Sequence, residues 1–152
     1  MSVNTRVVAA TPQEVWDVLA DGWLYPVWVV GASRMREVDD AWPAVGAKLH
    51  HSVGIWPLLI DDYTEVLESV PGESLTLRAR GWPVGEAQVH VQLTPQDTHE
   101  HTQQGSETEI RIEEKAVSGP GAMVPPPLEG LTLKWRNTET LRRLAFVAER
   151  RR

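Results

Sequence analysis

The sequence predicts an α+β fold: a curved antiparallel sheet of about seven strands wrapped around a long C-terminal helix, with two short helices after the first strand. Three observations predict it. From Ser33 to Ser118 the apolar residues follow a strand period, punctuated by turn residues at Asp39-Asp40, Pro43, Gly46, Pro57, Pro71-Gly72, Pro83, Gly85, Pro95 and Gly105. The connections between these strands are short, and parallel pairing would need crossovers of a dozen residues or more. Beyond Pro127, Leu128, Leu131, Trp135, Thr138, Leu141, Ala145 and Ala148 recur at spacings of three and four, the mark of an amphipathic helix. Residues 1–152 are read as a single domain, which suits a chain of 152 residues.

Each element has a local cause. Val3 to Ala10 is β-rich and runs into Thr11-Pro12-Gln13-Glu14, where Thr11 caps a helix, Pro12 suits its first turn and Glu14 completes a capping box. Val15, Trp16, Val18 and Leu19 supply that helix's apolar face, and Asp21-Gly22 stops it. Trp23 to Gly31 reads as a short irregular helix or turn carrying an aromatic cluster. Six further strands are expected near 33–39, 47–56, 58–69, 73–81, 86–94 and 106–117, with a tight hairpin at Pro71-Gly72 and a long polar hairpin loop over 94–106. Ser118 to Pro127 is too rich in Gly and Pro for a regular element and reads as a connector. The helix after it spans about six turns, and Leu131, Trp135, Leu141 and Leu144 are its expected anchors to the core.

Composition removes several function classes. With 41% hydrophobic and 24% charged residues the chain can build a core, so disorder is excluded. A formal charge of −6 argues against a nucleic-acid groove and against charge-driven binding to an anionic membrane. The chain has no cysteine, which rules out disulfides, thiolate metal sites and cysteine nucleophiles. No segment approaches the roughly 20 apolar residues that span a bilayer, and the N-terminal residues have no signal-peptide core. A cytoplasmic protein without an integral membrane segment is the default expectation. Seven Trp against one Phe and two Tyr point to large flat walls, in a core or around a ligand.

With Ala10-Thr11-Pro12-Gln13-Glu14-Val15-Trp16-Asp17-Val18-Leu19-Ala20-Asp21 near its start, the Val45-Gly46 turn, Asp62-x-Thr64-x-Val66, the Val70-Pro71-Gly72-Glu73 hairpin and the long last helix, the chain resembles the polyketide cyclase/dehydrase and lipid-transport (START-like, SRPBCC) superfamily. The resemblance implies a helix-grip cup with an internal cavity. It does not choose among the carriers, receptors, aromatase/cyclases and chaperone activators of that superfamily.

Strand parity locates the expected cavity, because alternate residues share a face. In 86–94 the apolar phase is Ala87, Val89, Val91 and Leu93, which turns His90 outward. In 106–117 the inward phase is Thr108, Ile110, Ile112, Glu114 and Ala116, so Glu114 is a carboxylate among apolar neighbours. In 47–56 it is Leu49, His51, Val53 and Ile55, making His51 the second polar exception. In 58–69, Ile60, Asp62, Thr64 and Val66 form the preferred inward phase, with Asp61, Tyr63, Glu65 and Leu67 left open as the alternative.

A buried carboxylate and an imidazole suit proton transfer, as in aldol cyclisation or dehydration. Hydrogen-bonded wall residues would show the same pattern. Trp23, Tyr25, Trp28, Trp82 and Trp135 are candidates to line the pocket, core packing being the competing role, and Met123 is a candidate gate residue. His99-Glu100-His101 lacks a further ligand, and Gly81-Trp82-Pro83-Val84-Gly85 lacks the order of a phosphate loop.

The leading expectation is a binder of a small hydrophobic, aromatic or lipid-like molecule, held by Trp23, Tyr25, Trp28, His51, Val53, Thr64, Trp82, Ile112, Glu114, Met123 and Trp135. The alternative is a polyketide aromatase/cyclase-type enzyme using His51 and Glu114, and a third is a protein-interaction module. No cofactor, metal or nucleic acid is expected, and a homodimer is compatible with the sequence.

Overall fold

Among the described residues, seven strands and three α-helices follow the order β1 (Ser2–Val8), α1 (Pro12–Ala20), α2 (Tyr25–Trp28), β2 (Ala32–Val38), β3 (Lys48–Ile55), β4 (Leu58–Val70), β5 (Ser74–Gly81), β6 (Gly85–Gln96), β7 (Glu107–Ser118) and α3 (Pro126–Arg150), with a 3₁₀ turn at Gly22–Leu24. The computed structural model describes residues 2–30, 32–55, 57–81, 85–96, 107–119 and 126–150, with backbone alone at 32, 33, 53–55, 58, 59, 81 and 126–133. The strands form one antiparallel sheet in the order β1-β7-β6-β5-β4-β3-β2. β2 to β7 make the expected meander, and β1 returns to pair with β7, which leaves β1 and β2 as the edges. No helix among the described residues is long and apolar enough to cross a membrane.

The first helix begins where its capping residues dictate. Thr11 Oγ1 accepts the Glu14 amide at 3.1 Å and Glu14 Oε1 accepts the Thr11 amide at 3.0 Å, so two otherwise orphaned helix-end donors are satisfied reciprocally. Past its end the chain must hug the sheet at Gly22, where a Cβ would lie 2.5 Å from Leu49 Cδ2 and 2.7 Å from Val38 Cγ1. Any side chain there would have to displace Leu49 and Val38. Gly72, at φ 75°, closes the β4–β5 hairpin in a conformation that side chains disfavour.

The core lies between the concave face of the sheet and the helices. Leu49, Val66, Leu75, Leu77, Val91, Leu93, Ile110 and Ile112 come from the sheet, and Val15, Trp16, Val18 and Leu19 from α1. From α3 come Leu141, Leu144, Ala145 and Ala148. Fully burying a large aliphatic side chain contributes about 1.5–3 kcal/mol, enough to hold α3 against the sheet. Two expectations for this helix are corrected. Trp135 is 70% exposed and does not anchor it, and Thr138 is exposed as well. The buried stripe runs instead through Asn137, Thr140, Leu141, Leu144, Ala145 and Ala148, because the positions facing the sheet in this turn of α3 are polar and carry hydrogen-bonding groups that an apolar-periodicity argument ignores.

Candidate functional site

The inward phases of β3 and β4 place two polar side chains on one concave patch. Leu49 pairs with Thr64 and His51 with Asp62, so His51 and Thr64 sit diagonally on the same face. His51 is 2% exposed and Thr64 fully buried, and His51 Nε2 lies 2.8 Å from Thr64 Oγ1. From the other side α2 brings Tyr25, whose hydroxyl lies 3.2 Å from the same Thr64 oxygen. The Tyr25 ring stacks on the His51 ring at 5.5 Å and meets Trp28 edge-on at 5.4 Å. Thr64 therefore joins a phenol to an imidazole inside an otherwise apolar wall.

Burial sets the charge state of this chain of groups. Desolvation pushes the His51 pKa below its ordinary value, opposed by the Asp62 carboxylate and reinforced by Arg36 and His50. Burial pushes the Tyr25 hydroxyl up, against the hydrogen bond from Thr64 and the Arg136 charge and with the Glu114 charge. Thr64 Oγ1 has one proton and two lone pairs to offer a neutral imidazole and a neutral phenol. Either Tyr25 donates to Thr64 and Thr64 donates to Nε2, which puts the ring proton on Nδ1, or Nε2–H donates to Thr64, with Tyr25 accepting from Thr64 or donating to it, and Nδ1 is an acceptor. In every arrangement Nδ1 is buried and has no hydrogen-bond partner among the described residues.

Glu114 occupies the inward phase of β7, as parity requires, and is 1% exposed. Its partner is Arg136 of α3, with Nη1 2.9 Å from Glu114 Oε1, while Arg136 Nε donates to the Val30 carbonyl at 3.1 Å. The Val30 amide in turn donates to Thr140 Oγ1 at 3.4 Å. One guanidinium thus ties α3 to the sheet and to the segment after α2. His51 and Glu114 are thus bonded to different partners, Thr64 and Arg136: the charges acting on His51 are those of Asp62, Arg36 and His50, whereas Glu114 acts on Tyr25, whose ring stacks on His51.

Of the other candidates, Trp28 and Ile112 are buried beside this cluster or in the wall of the same core, at 3% and 1% exposure. Trp23 and Trp135 are corrected: at 59% and 70% exposure they face away from the interior. Trp23 borders an open groove of about 690 Å³ beside Glu14, Asp17, Asp21, Asp39 and Asp40. Val53 lies on β3 with its side chain outside the described residues, as do Trp82, Met123 and the His99-Glu100-His101 segment altogether. His90 is on the outer face, its Nδ1 2.7 Å from Thr76 Oγ1.

Sequence reasoning missed Arg136, Asn137 and the hydroxyl role of Tyr25. A signal for Arg136 existed, since a carboxylate among apolar neighbours needs a cation in reach and Lys134 and Arg136 are the cations on the first half of the covering helix. Asn137 gave none: a lone polar residue in a helix reads as surface.

A family model described as polyketide cyclase / dehydrase and lipid transport matches residues 2–149. Among solved structures, a protein from Nitrosomonas europaea superposes with a TM-score of 0.65 at 17% identity, covering 98% of this chain and 94% of that one. A protein from Chromobacterium violaceum gives 0.60 at 21% identity over 97% and 96% of the two chains. The di-domain ARO/CYC StfQ from the steffimycin biosynthetic pathway gives 0.64 at 14% identity, over 98% of this chain and 50% of its own. At these identities the likeness shows the fold alone. None of the curated proteins matches the sequence.

Proposed function

Since this chain belongs to the polyketide cyclase / dehydrase and lipid transport family, we propose that it acts as a single domain that binds a small hydrophobic molecule, aromatic or lipid-like, between the sheet and α3. The observation that carries this reading is the His51–Thr64–Tyr25 chain, a polar device buried in an apolar wall. Ligand sites of this kind are mostly apolar, with a few placed polar groups that fix the ligand's pose. In this reading Tyr25, Trp28 and Ile112 give contact area, His51 orients the polar end of the ligand, and the Arg136–Glu114 pair holds α3 in place above it.

Native mass spectrometry of freshly purified protein tests the reading through a co-purifying molecule, and titration with an environment-sensitive hydrophobic fluorophore tests it through stoichiometry. Saturable one-to-one binding is expected. Failure of a broad apolar panel to bind a folded protein overturns it. Cyclase-type turnover is the second reading, favoured by a neutral imidazole with Nδ1 unengaged. General-base catalysis would make His51→Ala cost about 10²–10⁴ in rate with affinity largely kept, whereas an orienting role costs affinity by about one hydrogen bond.

A further inference from the structure

Three buried polar atoms around α2 and α3 have no hydrogen-bond partner among the described residues: Trp28 Nε1, Asn137 Nδ2 and His51 Nδ1. Their residues are 3%, 3% and 2% exposed. Natively folded chains pair such groups almost without exception, since an unmet buried donor costs about 1–3 kcal/mol. Trp28 contacts the Tyr25 ring and Tyr25 stacks on His51; Asn137 lies on the same buried face of α3 as Thr140, which accepts the Val30 amide just beyond α2.

Their chemistry is unequal. An indole nitrogen and an amide nitrogen only donate, while the His51 nitrogen donates or accepts according to the proton arrangement along Thr64 and Tyr25. The fixed demand of these atoms is therefore for acceptors. A carbonyl oxygen meets it without importing a donor of its own, which a hydroxyl would do.

We propose that Trp28 and Asn137 are specificity-determining donors that select an apolar ligand bearing carbonyl oxygens over a hydrocarbon of the same shape. The inference rests on the reading of the interior as the ligand site and names the class of molecule it takes. His51 adapts to whichever polar group lies nearest it.

Two probes that differ by oxygen against methylene, 2-acetylnaphthalene and 2-isopropenylnaphthalene, test it. Their affinities are measured by equilibrium dialysis against the wild type, Trp28→Phe and Asn137→Leu, with Asn137→Asp as a second variant that keeps shape and replaces the donor by an acceptor. Because water solvates the ketone better, the quantity read is the ratio of ketone to hydrocarbon affinity, which also cancels any change in pocket volume. Each loss of a donor is expected to lower that ratio by about three- to tenfold, the range of one neutral hydrogen bond. Asn137→Asp should lower it further. A ratio unchanged in the folded variants, with both probes still bound, overturns the inference and leaves the binding reading intact. If the wild type binds neither probe while other molecules of the apolar panel bind, the inference is overturned and the binding reading stands; if nothing in the panel binds, both are overturned.

Discussion

Replacing Arg136 with Met should be far more damaging than neutralising the carboxylate it holds. The two partners differ in what they have left once separated. Glu114 is 1% exposed, so without Arg136 its charge remains in the core with neither water nor cation. Stranding one member of a buried pair costs about 3–5 kcal/mol, and some entry of water past the truncated side chain places the expectation at the lower end. Arg136 is 33% exposed and in Glu114→Gln keeps its bond to the Val30 carbonyl, while the glutamine oxygen still accepts from Nη1. That exchange should cost about 1 kcal/mol, the difference between a charged and a neutral hydrogen bond. In a domain of this size 1 kcal/mol moves Tm by about 2–4 °C, so Arg136→Met should lower Tm by roughly 6–16 °C and Glu114→Gln by only a few degrees. The double variant Glu114→Gln/Arg136→Met should be more stable than Arg136→Met alone, since the stranded charge is gone. Urea unfolding followed by far-UV circular dichroism measures all three. If Arg136→Met costs no more than Glu114→Gln, or the double variant is the least stable, Glu114 is not the dehydrated, paired carboxylate described above.

Thr64→Val keeps the side-chain shape but leaves both the Tyr25 hydroxyl and His51 Nε2 without a partner, so a loss of about 1–3 kcal/mol is expected; a neutral outcome in urea unfolding would mean that the chain through Thr64 carries no stability. His51 is held neutral by burial, its pKa lowered from the ordinary value. The unfolded chain therefore takes up a proton near pH 6.5 while the folded one waits for lower pH. Stability should be unaffected by this group above about pH 6.5 and should fall on acidification until the lowered folded pKa is reached, by at most about 1.4 kcal/mol per pH unit. Subtracting the pH profile of His51→Gln isolates the contribution, and a difference that is flat between pH 7 and 5 contradicts a dehydrated imidazole.

Local and periodic features were legible in the residues alone. The capping box at Thr11 needs only four consecutive residues, and strand parity needs only alternation, so the start of α1 and the burial of Glu114 and His51 follow from sequence, whereas the inward turn of Thr64 was one of two open phases that the structure decided. The meander follows from short connections. Tertiary structure alone decided who meets whom. Parity places Glu114 and His51 on the same face of the sheet, but they come from β7 and β3, with β6, β5 and β4 between, and each found its partner elsewhere: Glu114 in a helix 22 residues on, His51 in a strand 13 residues on and a ring from α2. The rotation of α3 was equally a tertiary matter. Trp135 is the larger apolar surface, yet Asn137 and Thr140 face inward, because Arg136 is bound to Glu114 and Val30, Thr140 accepts the Val30 amide, and these contacts set which way the first half of the helix turns. Hydrophobic patterning is additive along a chain and can be read from it. Charge and hydrogen-bond pairing depends on distances between segments, which exist only once the chain has folded.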